Sequence, residues 1–492
     1  MRLRFLPAAL AVCLLAPSAA AQDLPPEVRD GVTLEEAIAL AIDASTEVAR
    51  AELAEQSGTL AERGARTDRL PSLSFSATPS QSYGLTFDQT TGQLASQTSE
   101  SLQTGLSANI TIYDGGRTGA LVQQARLNRA SAEASAERTR QTVAADVADR
   151  FLQLLLDRQL VEIQTEQLEA AEAQLDRAQR LVALGARPES DLPAQRATVA
   201  ERAAALAEAV ASVARDRVRL LDRLALPPFA DVEFIGPTLD ELEATGLLVA
   251  PLPEVEAAVE AALDSRMDVR AQELSVEAAQ AGEGLASTVS RPSVTAFGNL
   301  GTGYSSLQQR LADPDAEQPS IPVTLEDGTL VFLGGEPLTF PVGSPELETT
   351  PIFSQLTDNR SGSIGLSINV PIFDRYAARR QREEARLSTE DARIQLQALR
   401  QSVSAEVGLA AVEIAGAEAR LDAAEARVEA AQAAAEAEEA RYALGATTPY
   451  DLADARSRLA EALASRAQAA YTLVFRRALL RLATGDDLSD LL

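Results

Sequence analysis

The chain has 492 residues, of which 46% are hydrophobic but only 4% aromatic, a balance that favours closely packed helices with small side chains. Its net charge of −28 disfavours nucleic acid and anionic membrane surfaces as partners. There is no His and every basic residue is Arg, which excludes the usual general base, a Schiff-base lysine and a phosphate-loop lysine. The sequence therefore predicts no enzyme, no cofactor and no metal site.

The first 21 residues have the pattern of a secretory signal peptide. Two arginines precede an apolar run, and alanines at 19–21 supply a cleavage site. Cys13, the only cysteine, lies inside that run, so we expect a mature chain without a thiol or an acyl anchor. No later run reaches about 18 apolar residues, so a membrane role would have to come from strands.

One unit occurs twice. Gly105–Asp114 and Gly365–Asp374 are similar strand-like segments, and each precedes a long Ala-rich stretch that ends at Leu-Gly-Ala. The offset between the copies is 260 residues, as from Gly105 to Gly365. A strand therefore leads into a helix of the same length in each half, and this duplication fixes the architecture.

The first copy spans 22–226 and the second 254–484, with a connector at 227–253 and an acidic tail at 485–492. In the first copy we predict helices over 32–66, 116–184 and 189–226, and strands over 70–78 and 102–113. In the second copy we predict helices over 254–286, 376–444 and 449–484, and strands over 292–300 and 362–373. Residues 301–361 form a Pro/Gly-rich loop that could contain a small hairpin turning at Asp327-Gly328.

The four predicted strands alternate apolar and polar residues, which is typical of half-buried strands. Two interpretations fit: antiparallel hairpins of a soluble sheet, or membrane hairpins with the apolar side towards lipid and the polar side towards a lumen. In the second case the lipid-facing residues are Leu106, Ile110, Ile112, Leu366, Ile368 and Val370. Pro371 cannot donate a ladder hydrogen bond, so pairing is expected to end or bulge there.

The long helices carry apolar residues seven apart, which indicates a coiled-coil seam. In the first copy these are Val147, Leu154, Val161, Leu168, Leu175 and Val182. Gly185 ends this helix, and Ser190 or Asp191 can cap the return helix. Because four strands cannot close a barrel, strands that enter a membrane would require several copies of the chain.

In the order of its elements the chain resembles the TolC-like outer membrane efflux protein family. The resemblance rests on Leu34–Ala41, the hairpins around Leu70-Pro71 and Arg291-Pro292, Tyr113–Gly116 with Phe373-Asp374, and the Leu-Gly-Ala tips followed by Asp-Leu. It implies a mainly α fold with a small membrane β-barrel portion, in which a homotrimer forms a twelve-stranded barrel in outer membrane lipid and an α-helical tunnel in the periplasm. It also implies an exit duct for efflux or type I secretion, coupled to an inner-membrane transporter by a periplasmic adaptor.

The resemblance further implies a gate of Tyr, Asp and Arg at the periplasmic end of the tunnel. The matching residues are Asp191, Tyr442, Asp451 and Asp454. The family arginine would fall at Thr447, and Arg187 of the first copy is its candidate replacement. The adaptor would contact the tips, which are Leu184, Gly185, Ala186, Leu444, Gly445 and Ala446.

Two alternatives stay open at this point. Asp191 and Asp451 could simply cap helices, whereas Asp454 lies beyond the cap and, repeated around a threefold axis, would form a ring that favours cations. A secreted coiled-coil structural protein would explain the seven-residue spacing and the Ala content, but not four alternating strands at fixed offsets.

Overall fold

The computed structural model describes residues 31–88, 93–186, 188–238, 241, 254–312, 320–326, 328–341 and 347–484. The predicted signal peptide, the acidic tail, Arg187 and most of the connector lie outside the described residues. The chain divides into two compact units. Unit 1 takes in Met1–Gln56, Ala130–Glu273 and Ile394–Leu492, and unit 2 takes in Ser57–Arg129 and Leu274–Arg393.

Helices make up most of the described chain. Their bounds are α1 Leu34–Ala44, α2 Thr46–Thr67, α3 Arg117–Ala183, α4 Leu192–Arg223, α5 Val255–Ser265, α6 Met267–Thr288, α7 Ile352–Asp358, α8 Ala377–Ala443 and α9 Pro449–Ala483. The strands are β1 Ser72–Asp88, β2 Gln93–Tyr113, β3 Ser293–Ser305, β4 Gln309–Leu311, β5 Ser320–Pro322, β6 Phe332–Leu333, β7 Glu336–Pro337, β8 Thr339–Pro341, β9 Leu347–Thr349 and β10 Ser361–Asn369.

The internal repeat is regular in its helices. α1 and α5 have 11 residues each, α2 and α6 have 22, and α3 and α8 have 67. Helices α4 and α9, which follow the two tips, have 32 and 35 residues. The predicted mainly α-helical fold with a two-fold repeat is confirmed.

The helix before each hairpin differs from the prediction. Single helices over 32–66 and 254–286 are wrong, because one extended residue, Ser45 or Arg266, breaks each of them in two. The Ser45 hydroxyl accepts hydrogen bonds from the backbone N–H groups two and three residues later, at 3.2 and 3.4 Å. This is an N-cap that starts α2, and an apolar stripe running through the break gives no sign of it.

Four strands form the main sheet in the order β1-β2-β3-β10, with every neighbouring pair antiparallel. Their predicted bounds, 70–78, 102–113, 292–300 and 362–373, need correction. β1, β2 and β3 extend beyond them because strand pairing continues through polar stretches that do not alternate. β10 ends at Asn369, two residues before Pro371, in agreement with the missing N–H of proline.

The segment predicted as a loop over 301–361 contains regular structure. β3 runs to Ser305, β4 to β9 form three two-stranded sheets, and α7 follows. Gln355 of α7 is fully buried, and its amide donates to the Ser305 and Thr350 carbonyls at 2.9 and 2.8 Å. The predicted small hairpin is centred on a bridge between Thr324 and Leu330, and Asp327 of its turn lies outside the described residues.

Unit 1 has a conventional apolar core. Phe151 of α3 meets Phe234 of the connector edge-on, with ring centroids 6.0 Å apart. Val147 and Leu154 of the predicted seven-residue series are fully buried in this core, as are Val407 and Ile414, which lie 260 residues later at the equivalent positions of the second repeat: Val147, Leu154, Val407 and Ile414. Arg217 of α4 holds the connector by donating to its carbonyls at Ala230 (2.9 Å) and Val232 (3.2 Å).

Candidate functional site

The sheet of unit 2 has one apolar face. The register places Leu106 of β2 opposite Phe75 of β1 on one side and opposite Leu300 of β3 on the other. Because strand side chains alternate, every second residue from these positions shares their face. This face carries Leu73, Phe75, Leu106, Ala108, Ile110, Val294, Ala296, Gly298, Leu300, Gly362, Ile364, Leu366 and Ile368.

The opposite face is largely polar. Its residues include Ser72, Ser74, Ser107, Asn109, Thr295, Asn299, Ser363 and Ser367. The hydroxyls of Ser74 and Ser107 lie 2.7 Å apart across the strand pair. Phe297 is the large apolar exception, and it lies over Gly365, where an added Cβ would be only 2.7 Å from the phenyl Cζ.

The apolar face is exposed. Ile364 is 92% exposed, Phe75 71% and Leu366 64%. A contiguous apolar surface of this kind is rare on a soluble monomer and is expected of strands that face hydrocarbon.

Four of the predicted lipid-facing residues, Leu106, Ile110, Leu366 and Ile368, lie in the rows of this face. The register does not assign the other two. Ile112 lies at a bulge between Thr111 and Tyr113, and Val370 lies one residue beyond β10.

The apolar rows have the height of a membrane band. They run without interruption from Val294 to Leu300, and after one Thr row they continue to Tyr304, which pairs with Leu102. The ten residue steps from Val294 to Tyr304 span about 34 Å along the strand. At a tilt of about 40° this gives about 26 Å, close to the apolar band of outer membrane strands.

Both edges of the sheet are open. Within the described residues, β1 and β10 each pair with a strand on one side only. An edge strand presents a row of unpaired N–H and C=O groups, which lipid cannot satisfy. The sheet is therefore a fragment of a larger closed structure if its apolar face lies in a membrane.

In unit 1, the two Leu-Gly-Ala tips end their long helices in the same way. Gly185 and Gly445 have φ of +70° and +73°, the left-handed conformation that favours glycine. The N–H groups of Ala186 and Ala446 each donate to the carbonyl five residues earlier, at 2.8 Å. These Schellman-type ends leave Leu184 and Leu444 exposed beside the turn.

The second tip starts its return helix with a reciprocal cap. The N–H of Asp451 donates to Thr448 Oγ1 at 3.2 Å, while the Thr448 hydroxyl and N–H donate to Asp451 Oδ2 at 2.6 and 3.1 Å. The Thr448 hydroxyl lowers the pKa of the Asp451 carboxyl, and the Thr448 N–H, the Thr447 hydroxyl and the charge of Arg441 act in the same direction. Thr448 is thus the N-cap and Asp451 is the third residue of α9.

An open groove of about 620 Å³ lies between the end of α8 and the start of α9. Both Asp451 and Asp454 line it, as do Arg427, Arg441 and Arg458. Asp454 forms an ion pair with Arg458 at 2.8 Å, one helical turn further on. The groove therefore combines carboxylates and guanidinium groups on one surface.

The other predicted gate residues do not line this groove. Tyr442 is buried, and Asp191 occupies the N-cap position of α4 without a cap hydrogen bond from its side chain. Arg187 lies outside the described residues.

The sequence analysis missed the cap residue Thr448 and the arginines of the groove. A signal for the cap was present, because Thr448-Pro-Tyr-Asp451 places a Pro at the first helical position and an acid three residues after the cap. The spacing of Asp454 and Arg458 by four residues was a signal for their ion pair.

Among the described residues, no helix combines the length and the apolar character needed to cross a membrane. The family model described as "Outer membrane efflux protein" matches residues 37–225 and 258–486. No curated protein gives a significant sequence match.

Solved structures match nearly the whole chain. A crystal structure of CusC, from work on transmembrane channel formation, has a TM-score of 0.71 at 17% identity and covers 98% of this chain and 99% of its own. The CmeC outer membrane channel of Campylobacter jejuni has a TM-score of 0.69 at 16% identity, covering 94% and 88%. The outer membrane protein VceC of Vibrio cholerae has a TM-score of 0.68 at 18% identity, covering 93% and 97%.

Proposed function

The chain belongs to the outer membrane efflux protein family, and we propose that it is the exit duct of a tripartite efflux or type I secretion system. In this proposal it conducts substrates passively from an inner-membrane transporter, through a periplasmic adaptor, to the exterior. The observation that supports the membrane part best is the sheet whose whole apolar face is exposed and whose two edges are open. A secreted coiled-coil protein in water would bury that face.

Closure of the sheet sets the number of copies. Four strands are too few for a barrel, since about eight are needed for the smallest closed one. Three chains supply twelve strands, with β10 of one copy pairing with β1 of the next and every edge satisfied. The apolar face then lies towards lipid, and the serine, threonine and asparagine face lines the lumen.

The tips are the proposed contact surface for the adaptor. Leu184, Gly185 and Ala186 in the first copy, and Leu444, Gly445 and Ala446 in the second, end in the same turn conformation. All six are exposed, so they offer two equivalent apolar corners per chain. An adaptor with a repeated groove could bind both.

Asp454 is the proposed selectivity residue of the channel entrance. It lies in an open groove and is not needed for the cap, which Thr448 and Asp451 provide. Three copies around an axis would gather this carboxylate into a ring, and such rings favour cations. Arg441 and Arg458, in the same groove, are the proposed partners for the acids in place of the arginine missing at Thr447.

The test is to extract the mature protein from membranes, measure its mass in detergent and record single channels in planar bilayers. We expect a trimer that conducts and is cation-selective. Asp454→Asn should move the reversal potential towards zero, whereas Asp422→Asn on the exposed side of α8 should leave it unchanged. A water-soluble monomer without conductance would refute the duct, and an unchanged reversal potential would refute only the role of Asp454.

A further inference from the structure

The repeat relates two helix contacts that lie within the chain. Helix α2 contacts α3 through an ion pair between Glu52 and Arg140 at 2.8 Å. Helix α6 contacts α8 through an ion pair between Glu273 and Arg400 at 2.7 Å. Residue 273 follows 52 by 221 positions, the offset of α6 from α2, and 400 follows 140 by 260, the offset of α8 from α3. The α2–α3 and α6–α8 contacts are therefore the same interface used twice.

A second kind of contact occurs only once within the chain. Helix α6 also packs on α3, where the Ser131 hydroxyl donates to the Ala271 carbonyl at 2.9 Å and Arg138 lies 3.5 Å from Asp268. α6 thus lies between α3 and α8. By the repeat, the corresponding contact would join α8 to α2, but α2 lies on the far side of α3, and no such contact is found among the described residues.

The exposure of equivalent residues marks the missing contact. Leu274 of α6 is 7% exposed, whereas its equivalent on α2, Leu53, is 62% exposed. Leu127 of α3 is partly buried, whereas its equivalent on α8, Leu387, is 63% exposed. The same positions of the repeat are covered inside the chain and uncovered at its two ends.

We infer that α8 of one copy packs on α2 of a second copy and reproduces the α3–α6 contact, with Leu387 against Leu53 and Asp391 paired with Arg50. The pairing follows from the offsets, because Asp391 is the equivalent of Ser131 and Arg50 is the equivalent of Ala271. The two side chains have opposite charges and both are exposed. This inference rests on the proposed trimer and assigns the residues that close it.

The α3–α6 contact also sets the direction of the helices in the new interface. Within the chain, Ser131 contacts Ala271 and Arg138 contacts Asp268, so numbering rises on α3 as it falls on α6. In the interface between copies, Leu387 precedes Asp391 by one turn of α8, and Leu53 follows Arg50 by one turn of α2. An antiparallel arrangement therefore satisfies the apolar pair and the charged pair together.

Cysteine cross-linking tests the pairing, since Cys13 is the only cysteine of the chain and lies in the predicted signal peptide. Asp391→Cys with Arg50→Cys, oxidised or treated with a short bis-thiol reagent in membranes, should give covalent dimers and trimers on denaturing gels. Arg393→Cys with Arg50→Cys is the matched control, because residue 393 lies about 200° around α8 from 391. Ser131→Cys with Ala271→Cys should react only within the chain.

The outcomes separate this inference from the proposed function. A conducting trimer in which the 50–391 pair fails to react, while the 131–271 pair does, refutes the inference and leaves the duct. Equal ladders from 50–391 and 50–393 also refute it. A monomer without conductance refutes both. As a second measurement, Asp391→Arg should reduce the detergent-resistant trimer several-fold and Arg50→Asp in the same chain should restore it, and failure of the rescue counts against the ion pair.

Discussion

The sheet of unit 2 and the helical core of unit 1 place their side chains in opposite ways. In the sheet, Ile364 and Leu366 are exposed and the serines occupy the other face. In unit 1, Phe151 and Leu154 are buried, and so is one carboxyl group, that of Asp157. The difference indicates two solvents for one chain: hydrocarbon favours the exposed apolar face of the sheet, whereas water favours the helices and makes the buried acid costly.

A charge placed on each face of the sheet tests this contrast most strongly. Leu366→Arg puts a guanidinium in the middle of the apolar rows and should cost about 2–4 kcal/mol if that position faces the bilayer midplane. Ser367→Arg, the next residue on the polar face, should be tolerated. The measurement is the yield of folded, detergent-resistant oligomer in the outer membrane. Equal yields for the two variants would mean that the apolar face does not meet lipid.

The buried acid of unit 1 supplies the second test. Asp157 of α3 is only 5% exposed. Burial raises its pKa to about 6 from 3.8, and Asp216 of α4 adds to the shift through a shared hydrogen bond and its charge. Gln153 and Arg215 oppose the shift, and Arg219 pairs with Asp216 at 2.7 Å.

Because the folded state holds this proton more tightly than the unfolded state, the contribution of Asp157 to stability falls as pH rises from about 4 to 6 and is constant above. The full shift from 3.8 to about 6 corresponds to at most about 3 kcal/mol. Asp157→Asn should therefore stabilise the protein relative to wild type at about pH 7.5 and much less at about pH 4.5, as measured by thermal unfolding. A difference that does not change with pH would show that the group is not a buried acid in solution.

The tips give a smaller effect. Gly445→Ala places a Cβ in the left-handed conformation, at a cost of about 1–2 kcal/mol. Gly408→Ala, in the middle of α8 with no heavy atom within 4 Å of the added Cβ, should stabilise by about 0.5–1 kcal/mol. Thermal unfolding of the two variants beside wild type is the measurement. Opposite signs are expected, and destabilisation by both would point to an unrecognised contact at residue 408.

The sequence was sufficient where residue type repeats with a simple period. Alternation along Leu106–Ile110 and Leu366–Ile368 predicted one apolar face, and the register places all four of these residues on it. The extra length of β1 was not predictable, because its partners beyond Leu102 are Ser, Glu, Gln and Thr residues whose pairing depends on the backbone. The same holds for the break at Ser45, where one hydroxyl outweighs a continuous apolar stripe.

The candidate site at the tips was predictable only in part. The resemblance supplied Asp451 and Asp454 as a pair with one role, but hydrogen bonding separates them: Asp451 completes the cap with Thr448, whereas Asp454 pairs with Arg458. Arg441 could not be assigned from sequence, because its relation to Asp451 depends on how the turn brings α8 and α9 together.

The smallest effect concerns the acid of this cap. The Thr448 hydroxyl holds the pKa of Asp451 below its usual range, so the cap is complete above the ordinary carboxyl pKa and weakens as pH falls through the lowered value. Hydrogen exchange of the amides at 448–452 should therefore become faster in acid. Asp451→Asn removes this pH dependence, while Asp422→Asn on α8 keeps it. Because only the first turn of α9 is involved, the change should be confined to those amides, and uniform loss of protection along α9 would contradict a local cap.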